Sequence, residues 1–519
     1  MTAKTRYDVL SSDRSQFLRV AEDAAKLTIP YLIHQDDNSK THRKLVTPWQ
    51  GVGAKGVVTL ASKLMLALLP PQTSFFKLQV DDTMLGEIGP EIKSELDLSF
   101  AKIERTILES IAASDDRVVV HQALKHLVVA GNALIYMGKE GLKLYPLNRY
   151  VVDRDGDGNV IEIVTKESIS KKIIEELVPD LNKGGVTQYS DDDTNDCDVY
   201  THVKVDGKRV NWHQEVYDTI IPKSQGKAPL SATPWLPLRF NTVDGEGYGR
   251  GRVEEFIGDL KSLEALSQAL VEGSAAAAKV VFTVSPSSST KPQTLSQAGN
   301  GAIIQGRPDD IGVVQVGKTA DFQTAYNMVQ QLERRLAEAF LILSVRQSER
   351  TTAEEVRLTQ MELEQSLGGL FSLLTVEFLV PYLDRKLNVF QKTGKIPRIP
   401  EGIVHPTIVA GINSLGRGQD RESLGMFLQT IAQTIGPEAI GQFINTDEVI
   451  KRLAAASGID VLNLVKSMEE IQGEQQQQMQ QQMAMQEQQN APAMAAVQQK
   501  QEQAAIQAGV QLAQQQPPG

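Results

Sequence analysis

Several stretches of the 519-residue chain carry residue types that could do chemistry. Asp153-Arg-Asp-Gly-Asp-Gly158-Asn-Val160 sets oxygen ligands at alternate positions with glycine sixth, as in the first half of a calcium loop. The twelfth position, which needs a bidentate glutamate, is Val164, and strand patterns flank the run instead of helices. The expected structure is therefore a polar hairpin turn with Gly158-Asn159 supplying positive φ angles. His202 and His213 stand on either side of an Asp206-Gly207 turn and could lie diagonally on one sheet face. Two imidazoles without a third ligand do not make a zinc site. The glycine run Gly51 to Gly56 precedes a helix, yet Lys55 comes before Gly56 and no Lys-Ser or Lys-Thr follows. A phosphate loop is excluded by that order, and the glycines read as close-packing positions. Gly245, Gly247, Gly249 and Gly251 repeat with period two and lack dinucleotide spacing. The one cysteine, Cys197, has no plausible histidine partner, and no Gly-x-Ser-x-Gly elbow occurs. These patterns predict no catalytic group, no metal and no cofactor.

One polar loop remains, Ser344 to Thr351, which carries Arg346 and Arg350. The stretch that must position it runs from Asp244 to Glu355. It opens with the Gly-rich turn Asp244-Gly-Glu-Gly-Tyr-Gly-Arg-Gly251, then continues proline-free and helix-favouring from Arg252 to about Lys279. At 1.5 Å per residue that helix would be roughly 40 Å long. A Ser/Pro/Gly-rich, β-branched insert covers Val280 to Ala320. From Asp321 to about Leu343, Phe322, Ala325, Val329, Leu332, Leu336, Ala339 and Leu343 recur at three- and four-residue steps, which makes one apolar stripe. Thr352-Ala-Glu-Glu355 after the loop is a capping box that starts a third helix. The pattern is two helical legs with a small β module at their foot and a polar loop at the top of the second.

The remainder predicts a mixed α+β, predominantly helical chain. Helices are expected at Ser12 to Tyr31, with Phe17, Leu18, Ala21, Ala25 and Ile29 near one face, and at Val57 to Leu69, stopped by Pro70-Pro71. Two more are expected at Glu91 to Ala113 and Arg117 to Ala130, the second ended by Gly131-Asn132. Strands follow at Ala133 to Met137, Leu142 to Tyr145 and Tyr150 to Asp153. A helix near Ser168 to Leu177, an aspartate-rich loop from Ser190 to Asp198, a hairpin of Val199 to Val205 with Arg209 to Trp212, a loop from Pro222 to Pro237 and a last strand from Leu238 to Thr242 complete the first half. The third helix carries Val356, Leu363, Leu367, Leu370, Leu374 and Phe378 on a stripe, with Gly368-Gly369 and Pro381 as candidate kinks. Gly394 to Pro406 is a proline-rich break, and Leu415 to Val465 returns to a small helical unit. From Ile471 to Gly519, 20 of 49 residues are glutamine, a composition that suits disorder or an extended helix needing neighbours.

Bulk numbers narrow the partners. With 64 acidic against 53 basic residues the chain is at −11, which argues against a protein that grips a phosphate backbone by counterion release. The N-terminus lacks the apolar stretch of a signal peptide, and Val57 to Leu69 is too short and too interrupted by Lys63 to span a bilayer. An intracellular origin and no membrane association are expected.

Thr47-Pro-Trp-Gln50 with Val52-Gly-Ala54, Leu60-Ala-Ser-Lys-Leu-Met-Leu-Ala-Leu68, Ala123 to Tyr136, Asp244-Gly-Glu-Gly-Tyr-Gly-Arg250 with Glu254 to Leu260, Gly306-Arg-Pro-Asp-Asp-Ile311, Ala320-Asp-Phe322, Glu349-Arg-Thr-Thr-Ala-Glu-Glu355 and Gly416-Arg-Gly-Gln-Asp420 resemble, in that order, the portal or head-to-tail connector proteins of short-tailed bacteriophages. The acidic turn at Asp155 and Asp157 and the glutamine-rich tail stand outside the resemblance. It implies a ring of twelve copies at one capsid vertex of the virion, assembled in the host cytoplasm, through which double-stranded DNA is packaged and later ejected. The implied partners are the terminase large subunit, major capsid and scaffolding proteins, and tail adaptor and tail tube proteins. It also implies a subunit plan: a wing over 1–247, stem helices over 248–280 and 321–343, a clip over 281–320, a long wing helix over 352–396, a helical crown over 397–470 and a tail over 471–519. Between the second stem helix and the wing helix, 344–351 would be a tunnel loop, with Arg346, Gln347, Ser348, Glu349, Arg350 and Thr351 facing the channel. Twelve copies at −11 sum to about −132, and an acidic wall lets a duplex slide without sticking. Two rivals stay open on the residues alone: a packaging ATPase, and a capsid-assembly scaffold without a closed channel that works through its glutamine-rich tail.

Overall fold

Helices and strands form where those periodicities place them, with informative exceptions. In a computed structural model of the protein, the described residues are 1–33, 45–70, 75–80, 90–139, 141–178, 196–277, 281–287, 291–299, 302–305, 311–314, 319–342, 369–397, 404–408 and 416–434, with isolated positions elsewhere. They belong to two compact units, Met1–Ser414 and Leu415–Gly519.

Helix α1, Ala3–Lys26, begins nine residues earlier than the apolar spacing predicts, because Thr2 caps it by accepting from the Thr5 N–H. Its buried face follows the expected period through Leu18, Ala21 and Ala25. α2, Val52–Leu68, is the apolar helix. A Cβ at Gly53 would lie 2.6 Å from the Leu27 carbonyl, and one at Gly56 would lie 2.7 Å from the Phe340 ring. These two are packing glycines, as the order of Lys55 and Gly56 predicts. α3, Pro90–Ala112, and α4, Asp116–Ala130, follow, and α4 ends on Gly131 at φ 73°.

Five short strands come next: β1, Phe76–Val80; β2, Asn132–Met137; β3, Leu142–Tyr145; β4, Tyr150–Arg154; and β5, Val160–Ser170. β1 precedes α3 in the chain and pairs antiparallel with β13, Val404–Ile408, more than three hundred residues away. β13 lies partly in the predicted proline-rich break. β5 runs to Ser170, so the helix expected near Ser168 is confined to α5, Lys171–Leu177. Pairing with β6, Asp196–Asp206, decides this: Ser168, Ile169 and Ser170 face Asp198, Cys197 and Asp196 across the ladder. The same pairing converts the end of the aspartate-rich loop into strand. β7, Arg209–Val216, closes the Asp206-Gly207 hairpin, and β8, Thr219–Ile220, and β9, Gly226–Pro229, both pair with β7. β10, Trp235–Arg239, lies three residues before the predicted last strand and contains Pro237. It is the edge of a three-stranded sheet in the order β10-β2-β3, where a missing N–H costs no ladder bond.

The predicted hairpin at Asp155 stands, with a different cause. Gly158 has φ 84°, but Asn159 is not in the positive-φ region. The turn is held by Asp155, whose Oδ1 accepts from the Asp157 and Asn159 N–H groups at 3.0 and 2.7 Å and whose Oδ2 accepts from Asn159 Nδ2. A carboxylate occupied in this way is a turn former, and these bonds hold its pKa below the ordinary value.

The expected first leg breaks in two, α6, Arg252–Glu255, and α7, Ile257–Ala277. β11, Val281–Val284, and β12, Ile311–Val314, form an antiparallel pair with α8, Pro292–Gln297, between them in sequence. α9, Thr319–Ala339, is the second leg. The third helix is described from α10, Leu370–Leu374, through one π turn, Thr375–Leu379, into α11, Val380–Lys392. Pro381 has no N–H for the Glu377 carbonyl four residues back, and the wider turn relieves the clash; the kink expected at Pro381 takes this form. Leu370, Leu374 and Phe378 of the predicted stripe are buried. Val356, Leu363, Leu367 and the capping box at Thr352 lie outside the described residues. One apolar core joins α1 to α4, β2, β10, the start of α7, the end of α9 and α10–α11. In the second unit, α12, Gly416–Thr434, has Met426 and Phe427 exposed.

Candidate functional site

The two legs leave the core from a single junction, built by the Gly-rich turn. Asn132, the first residue of β2, is buried and makes a reciprocal pair with Gly249: its Nδ2 donates to the Gly249 carbonyl at 2.6 Å and its Oδ1 accepts the Gly249 N–H at 2.7 Å. A Cβ on Gly249 would stand 2.7 Å from the Gly131 carbonyl, and one on Gly251 2.6 Å from that of Val129. The turn thus lies backbone to backbone on the C-terminus of α4. Tyr248 inserts into the core and accepts the Val152 N–H at 3.1 Å; burial pushes its hydroxyl up to about 12. Arg250 bridges Glu246 and Glu254 and lies over the Phe17 ring at 5.7 Å. The hydrogen bonds raise the Arg250 pKa and lower that of Glu246.

Above this junction the legs run antiparallel. Leu260 and Leu263 of α7 belong to the same apolar core as Val329, Leu332 and Leu336 of α9, and Arg335 pairs with Asp259 at 2.8 Å. α9 ends four residues before the predicted Leu343. Leu341 takes φ 57°, its N–H bonds the Glu338 carbonyl, and the Ile342 N–H bonds the Ala337 carbonyl at 2.7 Å. This is a Schellman termination with leucine where glycine is usual. Two cations serve the freed carbonyls: Arg252 Nη2 donates to Ala339 O at 3.3 Å and Lys63 Nζ to Leu341 O at 2.8 Å. Phe340 packs over Gly56 and against Phe256, the residue at which the first leg breaks.

Arg346, Gln347, Ser348, Glu349, Arg350 and Thr351 lie outside the described residues. His202 and His213 are not diagonal but directly opposed across β6 and β7, with rings 5.3 Å apart. Each faces a carboxylate, His202 that of Glu162 at 2.5 Å and His213 that of Glu215 at 2.7 Å. The other oxygens of those carboxylates hold α1: Glu162 Oε2 accepts from Arg6 Nε and Glu215 Oε2 from the Ala3 N–H. The pair therefore belongs to the seat of an N-terminal helix. Among the described residues no group of three or more His, Cys, Asp or Glu could hold a metal ion.

Spacing alone missed Lys63, Arg252 and Asn132. The signal for Lys63 was present, since a charge amid an apolar helix needs a buried partner; the partner is a carbonyl 278 residues downstream.

Comparison with known proteins supplies the context for this junction. The bacteriophage head to tail connecting protein family matches residues 1–464. This chain belongs to that family. The portal protein of Enterobacteria phage T3 is 39% identical over 483 residues, covering 91% of this chain and 89% of its own length. The portal protein of Escherichia phage T7 is 38% identical over 92% of this chain and 90% of its own length. That of Enterobacteria phage SP6 is 30% identical over 91% of each. Among solved structures, a chain from the neck of an empty GTA particle aligns with 79% of this connector chain and 90% of its own, at 11% identity and a TM-score of 0.38, too low to define the fold. The connector residues that match run through the Gly-rich turn, both legs and the first part of the second unit. Among the described residues no helix is long and apolar enough to cross a membrane.

Proposed function

We propose that this connector chain is a portal subunit: twelve copies close into a ring at one capsid vertex, and the ring is the channel for double-stranded DNA on its way in and out of the virion. The observation that supports this most is how little of the leg pair a single chain covers. Beyond Leu263, no described residue of α7 is buried, and Val271, Tyr326 and Met328 are each about half exposed on the legs. Two antiparallel helices with so thin a mutual core do not stand alone, and neighbouring copies of the same legs would cover them. In this reading α7 and α9 are the stem, the β11–β12 module over 281–320 is the clip, and 397–470 is the crown. The role is structural, with no catalytic step. The clip would meet the terminase large subunit during packaging and tail adaptor and tail tube proteins afterwards, while the outer parts meet major capsid and scaffolding proteins.

Native mass spectrometry of the purified chain, with negative-stain images of the same sample, tests the ring. The expected species is a closed ring near twelve times 56.9 kDa with a stained hole. A uniform monomer or dimer at every salt and concentration tried would move the scaffold reading ahead. A second test addresses 344–351, proposed as the tunnel loop with Arg346 or Arg350 touching phosphates in transit. Arg346→Ala with Arg350→Ala is expected to lower the fraction of particles that retain a full-length genome; full retention would remove the arginines from the mechanism.

A further inference from the structure

We propose that Lys63 and Arg252 are positioning residues that fasten the C-terminal end of α9 to the body of the subunit, so that legs and body move as one piece where the chain leaves the second leg. A lysine ammonium is rarely buried without a partner, and Lys63 is 9% exposed in the middle of a helix whose neighbours are Leu60, Ala61, Leu64 and Met65. Its Nζ reaches the carbonyl of Leu341, the residue in the left-handed conformation that ends α9. Arg252, from the start of the first leg, reaches the carbonyl of Ala339 and stacks over Phe256 at 4.8 Å. The two cations come from elements 189 positions apart and converge on the negative end of one helix dipole, where positive charge is stabilising.

Geometry around the carbonyls shows that the contact is built. Leucine at positive φ costs about 1 kcal/mol or more relative to glycine and persists only where surroundings over-determine it. Here the surroundings are the Lys63 ammonium, Phe340 seated over Gly56 with no room for a side chain there, and Phe256 tilted against Phe340 at 6.0 Å. The break between α6 and α7 falls at Phe256 itself, which lets Arg252 lie on the ring and reach across. Under the portal reading, on which the functional half of this inference rests, force along the legs passes into the body at this contact.

The test compares the assembled full-length protein with Lys63→Met and Lys63→Arg by hydrogen exchange and by genome retention in particles. Lys63→Met is expected to speed exchange of the Leu341 and Ile342 amides by about tenfold or more, as for loss of a charge-assisted bond. Lys63→Arg restores most of the protection and of the genome retention, while amides of the β5–β6 ladder are unchanged in both variants. Unchanged exchange at Leu341 and Ile342 in Lys63→Met would overturn the proposal, and so would an equal acceleration in the β5–β6 ladder. If Lys63→Met does not fold, Arg252→Gln carries the same comparison at the Phe340 to Ile342 amides. Should the parent form no ring, the portal reading fails, yet the exchange comparison still decides the fastening role.

Discussion

Asp116→Ala is expected to destabilise the Met1–Ser414 unit by about 3–5 kcal/mol, the usual cost of stripping one partner from a buried ion pair. Asp116 is 1% exposed at the first turn of α4, where a carboxylate also suits the helix N-terminus. One of its oxygens, Oδ2, accepts from Tyr382 Oη at 2.6 Å and pairs with Lys386 Nζ at 2.7 Å, both on α11. Burial, and then the charge of Asp116, push the Tyr382 hydroxyl well above its ordinary pKa, so it stays a donor. Removal of the carboxylate leaves a largely buried ammonium and a fully buried hydroxyl without the oxygen they share. The measurement is the guanidinium midpoint of the variant against the parent. An unchanged midpoint would mean that α11 re-pairs elsewhere. Tyr382→Phe, which keeps the ring and the ion pair, is expected to cost far less, about 1 kcal/mol.

Gly249→Ala is expected to cost about 3 kcal/mol, at the upper end for overpacking, because neither neighbour can yield. The new Cβ would lie 2.7 Å from the Gly131 carbonyl and 2.9 Å from the Arg239 Cβ. Gly131 is held at φ 73° as the cap of α4, and Arg239 is held by Glu377, whose Oε1 accepts from Nε and Nη2 of the guanidinium while Oε2 accepts the Arg239 backbone N–H. Gly247→Ala is the control within the same run, since nothing lies within 4 Å of its Cβ position. Its stability should stay within about 0.5 kcal/mol of the parent. Thermal unfolding of the two variants side by side checks both; equal shifts would show that the turn relaxes and that the junction is not tight at Gly249.

That contrast shows what the period-two glycine run hides. Spacing excluded a dinucleotide site but could not rank the glycines, because the need for a missing side chain is set by whatever backbone approaches from elsewhere. The same limit applies to the histidines. Their hairpin was readable from Asp206-Gly207, whereas their direct opposition depends on register, and their carboxylates come from β5 and β7 in the folded sheet. The aspartates at 153–157 carried a calcium-like order, and one side chain, Asp155, spends itself on its own turn.

By itself the sequence determined the helices with long apolar periods, the Asp155 and Asp206 turns, the stop at Pro70-Pro71, the leg stripe, and a family resemblance that runs through them. Those features are local: a period of 3.6, a cap or a proline acts within a few residues, so a linear reading contains the cause. Tertiary structure decided the rest. Pairing across the sheet drew Ser168 to Ser170 into β5, and Phe76–Val80 found its partner beyond Pro400. α9 stopped at Ala339 because Lys63, Arg252 and Phe340's seat on Gly56 make a leucine at positive φ cheaper than another turn of helix. In each case the deciding partner is more than twenty residues away along the chain, and no local propensity encodes a partner that only folding brings into contact.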